Sequence, residues 1–316
     1  MLPSLCMRNA LRNALDHRRS IPYWAAFTSV LFTAACHDPQ HAPAPPVTTA
    51  EVHSPNSTSS PDSTAHVRAA EPISQYIRRM LQDRDGNLWF GTTSDGMVRY
   101  NGKDLEYHTP ANGFGSNWVS SMVQDATGSI WFGTGGGVSR TTAQGFRTYT
   151  TEDGLPSDQV WCLLLDRSGV LWAGTENGVS RFDGARFIPF PIPAADLSKF
   201  PYYRYPKQIN WMIQDREGNI WFASNGGGAY KYDGHSLSNL TEKDGLCNNF
   251  VETVLEDKAG NIWFGTRYGG LCKYHPSALS TSGSTSFTTF TRNDSRGDHI
   301  WTPYQTMDGT LWIAVA

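Results

Sequence analysis

Two kinds of side chain recur near the turns of this chain: large aromatic rings and, close to them, amides, carboxylates, an arginine and a histidine. An aromatic face stacks on a sugar ring or on another amphipathic small molecule, and a neighbouring polar group fixes its orientation. This pairing suits the binding of a small ligand, with a glycan as one candidate. The residues that we predict to bind it are Trp118, Asp158, Trp161, Asn210, Trp211, Asn249, Arg267, Tyr268, His299 and Trp301. For each of them the alternative is structural: a ring that fills a gap, or a polar group that caps a turn.

The sequence has no complete motif for a metal site, a hydrolase nucleophile or a nucleotide-binding loop. The sequence "DRDGN" (Asp83–Asn87) resembles the start of a calcium loop but lacks the later Glu. The histidines lack metal-type spacing, and neither a G-x-S-x-G nor a Walker sequence occurs. We therefore predict no metal, no cofactor and no catalytic residue. The net charge of -3 gives no reason to expect a nucleic-acid partner.

The elements that must position the predicted ligand-binding residues are hairpins that recur six times. Each contains a Trp in a sequence such as "DRSGVLWAGT", and these tryptophans are Trp89, Trp131, Trp172, Trp221, Trp263 and Trp312. Their spacings, between 41 and 49 residues, match one four-stranded blade of a β-propeller. Helical repeats are shorter and show a 3.6-residue period. The predicted fold is all-β: a propeller of four-stranded blades, with five full blades and a partial sixth in an incomplete ring.

Each position of the hairpin has a mechanical reason. In Asp-x-x-Gly the carboxylate accepts a hydrogen bond from the turn backbone, and Gly takes the positive φ that the turn requires. The Trp on the next strand is expected to pack between blades, and the tiny residue two positions later leaves room for the neighbouring blade. Predicted strands include 119–125, 145–151 and 185–190. The loops into strand one and those joining strands two and three should meet at one rim, where the predicted ligand-binding residues lie.

The loop "DGLPSDQV" (Asp153–Val160), a strand, and then "DRSGVLWAGTENGVSRFDG" (Asp166–Gly184) together resemble the two-component regulator propeller repeat. The resemblance covers residues 75 to 316 and implies a periplasmic sensor part of a bacterial signalling protein. No kinase, cyclase or DNA-binding portion follows the hairpins. We therefore predict a sensor or scaffold module without its own output domain, with a small-molecule or glycan ligand and a signalling protein as partners.

An enzyme is the alternative function. The streptogramin lyases are similar in repeating G-x-x-W-F, and the resemblance implies a His and an acid near a metal at the channel mouth. His299 and Glu252 would take those roles in this chain. The ending "WFGT" departs from the lyase "WFTE", and we predict that this protein is not an enzyme.

The first 36 residues have the features of a signal peptide: a basic lead, the apolar run "IPYWAAFTSVLFTAA", and then Cys36. The tetrad Thr33 to Cys36 resembles a lipobox, with Thr33 as its departure from the usual Leu. We predict lipidation at Cys36, a membrane attachment through that lipid alone, and a periplasmic or outer-membrane lipoprotein of the cell envelope. A plainly secreted protein and a chance apolar run remain open.

Residues 37–74 are rich in Pro, Ser and Thr, and we expect a disordered tether there, with the propeller at 75–316. Cys162, Cys247 and Cys272 have no metal-type spacing and are expected to be small buried hydrophobes. A disulfide between Cys247 and Cys272 stays open. The last repeat stops after its second strand, so we expect either a piece of a longer protein or open edges covered by a second copy or a partner.

Overall fold

The computed structural model describes residues 73–74, 76–275, 286–291 and 299–315. These residues form five four-stranded antiparallel sheets and one two-stranded sheet, which we call blades 1 to 6 in chain order. Strands neighbouring in sequence are neighbours in each sheet, so every blade is a meander. The predicted signal peptide, Cys36 and nearly all of the predicted tether lie outside the described residues.

Blade 1 consists of β1 (Ile77–Gln82), β2 (Leu88–Thr92), β3 (Met97–Tyr100) and β4 (Leu105–His108). Blade 2 consists of β5 (Val119–Gln124), β6 (Ile130–Thr134), β7 (Gly137–Thr142) and β8 (Gly145–Tyr149). Blade 3 consists of β9 (Val160–Leu165), β10 (Leu171–Thr175), β11 (Gly178–Phe182) and β12 (Phe187–Phe190).

Blade 4 consists of β13 (Ile209–Gln214), β14 (Ile220–Ser224), β15 (Ala229–Tyr232) and β16 (Leu237–Leu240). Blade 5 consists of β17 (Val251–Glu256), β18 (Ile262–Thr266), β19 (Leu271–Tyr274) and β20 (Phe287–Phe290). Blade 6 consists of β21 (Ile300–Gln305) and β22 (Leu311–Val315).

The first strands of successive blades pack against one another, from β1 through β5, β9, β13 and β17 to β21. This is the arrangement of a propeller, whose first strands surround the axis. The predicted fold class, an all-β propeller with five four-stranded blades and a smaller sixth, is confirmed. Among the described residues, no helix has the length and apolar character needed to cross a bilayer.

The hairpin tryptophans of blades 1 to 4 pack against the next blade, as predicted, whereas Trp312 of blade 6 is exposed. Trp172 of blade 3 lies in one buried cluster with Ile209, Phe222 and Tyr230 of blade 4. The small residue after the tryptophan is also explained. A Cβ on Gly91 would lie 2.7 Å from Val119 Cγ1 in the next blade, which is closer than real Cβ contacts come.

Some predicted strand ends are wrong, and local capping explains the differences. The strand predicted at 145–151 ends at Tyr149, because Thr150 caps a single turn of 3-10 helix at Thr151–Asp153. The strand predicted at 185–190 begins at Phe187, because the carboxylate of Asp183 accepts hydrogen bonds from the backbone N–H groups of Ala185 and Arg186 and holds them in a turn.

Candidate functional site

At one end of blades 1 to 5, the turn between strands one and two is closed by an aspartate. In blade 3, Asp166 Oδ1 accepts from the backbone N–H groups of Ser168 and Val170, each at 2.9 Å, and Oδ2 accepts from Trp172 Nε1 at 2.8 Å. The same Asp–Trp bond measures 2.8 Å in five blades, in the pairs Asp83–Trp89, Asp125–Trp131, Asp166–Trp172, Asp215–Trp221 and Asp257–Trp263. We call this end the Asp-turn end. Its repetition indicates that it builds the fold.

The same hydrogen bonds favour the ionised form of Asp125, Asp166 and Asp257. Burial alone would raise the pKa of Asp166, but hydrogen bonds from Ser168, Trp172 and Val170 together outweigh burial, so this pKa lies below its usual value. A basic side chain on strand three then covers the Trp ring, as Arg181 does at 5.4 Å from the Trp172 centroid. The ionised carboxylate is thus part of the blade's packing.

The loops into strand one meet the loops between strands two and three at the opposite rim. In blade 3, the backbone N–H of Glu176 donates to the carbonyl of Gln159 at 3.0 Å, and in blade 5 that of Arg267 donates to Phe250 at 2.9 Å. We call this end the binding rim, because it carries the residues that the sequence predicts to bind a ligand.

Every first strand has a β-bulge at the binding rim. The pairing with strand two shifts after the first residue of the strand, and the second residue is left without a partner in the ladder. A bulge re-aims a side chain, and bulges are over-represented next to functional sites. The bulge residues are Arg78, Ser120, Trp161, Asn210, Glu252 and Trp301. The set contains a cation, a hydroxyl, an amide, an acid and two indoles, so this position does not repeat.

One side of the binding rim is aromatic and basic. The rings of Trp118 and Trp161 meet edge to face, with centroids 5.2 Å apart, and the Arg78 guanidinium lies 5.2 Å from the Trp118 ring. Arg79 of blade 1 lies 5.0 Å from the ring of Trp211 in blade 4, so its side chain spans the space between the first strands. The structure therefore brings the predicted Trp118 and Trp161 into contact, and the consecutive residues Arg78 and Arg79 reach from Trp118 to the predicted Trp211.

The other side is a hydrogen-bonded network around Glu252. Arg267 Nε donates to Glu252 Oε1 at 2.5 Å, and its Nη1 donates to the hydroxyl of Tyr203 at 2.9 Å. The hydroxyls of Tyr203 and Tyr268 are themselves hydrogen-bonded. His299 Nε2 lies 3.7 Å from Glu252 Oε1. The predicted Arg267, Tyr268 and His299 thus share one network.

The electrostatics of this network are set by burial and by Glu252. Burial lowers the pKa of His299, Glu252 raises it and Arg267 lowers it again, with a net result below the ordinary value. Burial would also lower the pKa of Arg267, but Glu252 and the hydrogen bond to Tyr203 raise it above its usual value. His299 stacks on Trp301 with ring centroids 4.5 Å apart, which places the predicted Trp301 against the same network.

Three other predicted residues use their polar groups within the fold. Asp158 Oδ1 accepts from the backbone N–H of Thr151 at 2.7 Å, and Asn249 Oδ1 accepts from that of Glu242 at 2.9 Å. These two residues occupy the same position in two blades and cap the same 3-10 turn. The amide of Asn210 donates to the Val251 carbonyl at 2.9 Å and ties blade 4 to blade 5.

Sequence reasoning missed Arg78, Arg79 and Tyr203. A signal for Arg78 does exist, because each bulge residue lies eleven positions before its hairpin Trp in all six repeats. Tyr203 belongs to the insertion 191–206, which has no counterpart in the other repeats, so no alignment of repeats could have placed it.

The structure also settles the roles of the cysteines. Cys247 and Cys272 form a disulfide with Cα atoms 6.0 Å apart, which ties the loop before β17 to β19. Cys162 is a free, buried thiol, and burial raises its pKa to about 12. This thiol is a packing group at neutral pH.

Comparison with known proteins supports this interpretation of the repeat. The sequence profile of the two component regulator propeller matches residues 72–94, 113–136, 154–177, 206–226 and 245–268. No curated protein sequence matches the chain. Each matched segment contains the bulge and the Asp–Trp bond of one blade and ends in the loop between strands two and three.

Several solved structures share the fold. The extracellular domain of the hybrid two-component system BT3049 from B. thetaiotaomicron has a TM-score of 0.60 at 23% identity, over 76% of this chain and 32% of that one. The corresponding domain of BT4673 has a TM-score of 0.51 at 19% identity, over 76% and 40%. A catalytically inactive virginiamycin B lyase from Staphylococcus aureus, with quinupristin, has a TM-score of 0.55 at 17% identity, over 78% and 80%.

At these identities the structural likeness shows the fold alone, and the chain covers only 32% and 40% of the two extracellular domains. The five profile matches are stronger evidence for the family than the structural likeness, because they coincide with the Asp–Trp bonds and the bulges of blades 1 to 5. On those repeats, this chain belongs to the two-component regulator propeller family.

Proposed function

We propose that this chain binds a small ligand, with a glycan as the first candidate, at its binding rim. The observation that carries the proposal is the bulge position, which leaves the ladder in all six blades and holds a different kind of side chain in most of them. A purely structural position in a repeat protein tends to keep its residue type, as the Asp–Trp bond does. The chain would act outside the cytoplasm as a sensor or scaffold, with a signalling protein as the partner that supplies the output.

The exposed aromatic residues around the network support a glycan or a similar amphipathic ligand. Tyr202 is 93% exposed and Tyr268 is 55% exposed, and Phe200 and Tyr205 are also exposed. Three of these four rings belong to the insertion 191–206, next to the hydrogen-bonding groups of Arg267 and Glu252. Exposed aromatic rings on which a ligand can stack, beside polar groups held in place, are typical of a small-ligand site.

The proposed location rests on chemistry and on the sequence. A disulfide such as Cys247–Cys272 persists in oxidising compartments. Cys36 lies outside the described residues, so lipid attachment is proposed from the lipobox-like tetrad alone. Radiolabelled palmitate should tag the protein, and Cys36→Ser should abolish the label. Undiminished labelling of Cys36→Ser would contradict the lipoprotein assignment.

We favour binding over the lyase alternative because of how Glu252 is paired. The oxygen that faces His299, Oε1, already accepts a hydrogen bond from Arg267. Within the described ranges, no three His, Cys, Asp or Glu side chains are grouped to hold a metal ion. Metal-dependent turnover that disappears in His299→Ala would favour the lyase.

The test compares two tryptophans of the binding rim, Trp161 and Trp301, with Trp312, which lies at the Asp-turn end of the same two-stranded sheet as Trp301. Trp301 and Trp312 are 52% and 64% exposed, so replacing either costs little burial. A ligand found by thermal shift against a panel of glycans and small metabolites is titrated calorimetrically into the wild type and the variants. Trp161→Ala with Trp301→Ala should weaken binding about tenfold or more, whereas Trp312→Ala should not change it. Equal affinities in all three proteins would refute the proposal.

A further inference from the structure

The innermost strand of blade 1 carries two consecutive arginines at the binding rim. Arg78 is the bulge residue and Arg79 follows it. The corresponding pairs in blades 2 to 5 are Ser120 and Ser121, Trp161 and Cys162, Asn210 and Trp211, and Glu252 and Thr253. Blade 1 therefore concentrates positive charge where these other blades are neutral or acidic.

Neither arginine has an anionic partner in the part of the chain that the structure describes. The Nε atoms of both are buried and have no hydrogen-bond acceptor among the described residues. Arg79 Nη1 donates to the carbonyl of Arg78 at 3.0 Å. Burial, together with the neighbouring Arg78, lowers the pKa of Arg79 to about 10, so this guanidinium stays charged at neutral pH. Both side chains are half-buried, and a half-buried cation without a counter-ion is unfavourable.

A third unpaired donor lies nearby. Trp161 Nε1 is buried, and no residue that the structure describes accepts from it. The Trp161 ring contacts Trp118, over which Arg78 lies. All three of these groups are donors, and two of them are cationic. The complementary chemical group is an oxyanion, since it accepts several hydrogen bonds and neutralises guanidinium charge. Glu252 on the other side of the rim would repel such a group and orient the ligand toward blade 1.

We propose that the ligand of the binding rim carries an oxyanion and that Arg78 and Arg79 bind it, with Trp161 Nε1 as a neutral donor. The oxyanion is a carboxylate, a sulfate ester or a phosphate ester, and the rest of the ligand stacks on Trp118 and Trp161. An acidic sugar fits this description and a neutral sugar does not. The inference rests on the proposed ligand-binding function and specifies the chemistry of its ligand.

The first measurement does not depend on the body of the ligand. Thermal unfolding of the purified protein is followed in sodium sulfate and in sodium chloride at equal ionic strength. Sulfate should raise the melting temperature of the wild type more than that of Arg79→Gln or Arg78→Gln. The matched control is Arg84→Gln, which removes an exposed arginine from the Asp-turn end of the same blade and should respond as the wild type does. Equal sulfate effects in the wild type and both variants would overturn the inference, because sulfate would then act only through general exclusion from protein surfaces.

The second measurement distinguishes the possible sources of the oxyanion. Glucose, glucuronate, glucose 6-sulfate and glucose 6-phosphate share one body and are titrated calorimetrically. At least one charged sugar should bind about tenfold or more tightly than glucose, and each arginine variant should remove that advantage. Glucose binding as tightly as the charged sugars would overturn the inference and leave the proposed function standing. A sulfate effect that needs the arginines, without binding of any sugar, would support the anion site and count against a glycan ligand.

Discussion

At the Asp-turn end, blades 1 to 5 place the same Asp–Trp hydrogen bond at the same 2.8 Å, whereas at the binding rim the bulge position carries five kinds of side chain over six blades. The repeated end is fixed by packing, because each blade must present the same surface to the next blade. The bulge residue has left the ladder and is free of that requirement. The difference separates residues that hold the propeller together from residues available for recognition.

Blade 6 departs from the repeated Asp–Trp pair. Thr306 stands where the other blades have the aspartate, six positions before the tryptophan. Trp312 is 64% exposed, compared with 2% for Trp172. The hairpin Trp should therefore contribute less to stability in blade 6 than in blade 3, and substitution of each Trp can measure the difference.

The largest expected effect is at the Asp-turn end. Trp172→Ala should lower the free energy of unfolding by about 3–5 kcal/mol, because it leaves a cavity between blades 3 and 4. Trp312→Ala is the matched control and should cost less than about 1 kcal/mol, since most of its ring is already in water. Urea titrations of both variants make the comparison. Similar losses in both would mean that the repeated Trp is not an inter-blade packing residue.

The next effect is the loss of the carboxylate that holds the turn. Asp215 is buried and accepts from the backbone and side chain of Asn219 and from Trp221 Nε1, each at 2.8 Å. Asp215→Ala leaves these donors unsatisfied and should destabilise the protein by about 2–3 kcal/mol. Asp183→Ala removes an exposed turn aspartate of blade 3 and should cost much less. If Asp183→Ala lowers the free energy of unfolding more than Asp215→Ala, the hydrogen bonds to the buried carboxylate are not what stabilises the Asp-turn end.

Acid should destabilise the propeller through the same carboxylates. Hydrogen bonds lower the pKa of Asp125, Asp166 and Asp257 below the ordinary value, although burial opposes them. Their contribution is complete above the unfolded-state pKa of about 3.9 and is lost as the pH falls through the lower folded-state pKa. The free energy of unfolding should therefore change little from pH 7 to pH 5 and fall below about pH 4. In Asp166→Asn the free energy of unfolding should fall less steeply below about pH 4 than in the wild type. An equally steep fall would show that Asp166 does not contribute to the acid sensitivity.

The smallest effect is expected from a substitution that restores the Asp–Trp hydrogen bond in blade 6. Thr306→Asp gives Trp312 Nε1 the acceptor that the other hairpins have and should stabilise the protein by about 0.5–1 kcal/mol. In a double-mutant cycle, the gain should vanish in Trp312→Phe, which lacks the donor. A gain that persists in the Trp312→Phe background would come from the turn backbone alone.

The Asp-turn end could be predicted from the sequence because it repeats. The positions of Asp166, Trp172 and Gly174 recur in five of the six hairpins with conservative changes, so a mechanical role could be assigned before any contact was seen. The strand ends were less predictable. A cap such as Thr150 stops a strand through hydrogen bonds that the apolar pattern does not show.

The binding rim could be predicted only in part from the sequence. A position whose residue type differs between blades can bind a ligand or cap a turn, and the difference alone does not distinguish the two roles. Asp158 and Asn249 were predicted as ligand-binding groups, and one side-chain oxygen of each also holds a 3-10 turn, which the sequence did not show. Arg78 and Arg79 lie on β1, and the sequence showed no entry loop before β1 like those before blades 2 to 6, so only the eleven-residue spacing to Trp89 could have indicated Arg78. Contacts that cross between distant blades, such as that of Arg79 with Trp211, become visible only in three dimensions.

The central claim is that the two ends of a blade divide stability from recognition, and blade 3 carries a tryptophan at each end. Trp161→Ala and Trp172→Ala are each measured twice, by urea unfolding and by calorimetric titration of one ligand from the panel. Trp172→Ala should lose about 3–5 kcal/mol of stability while the protein that remains folded binds with unchanged affinity. Trp161→Ala should weaken binding about tenfold or more and lose less stability than Trp172→Ala. The account would be contradicted if Trp161→Ala destabilised the protein as much as Trp172→Ala and left the affinity of the folded fraction unchanged.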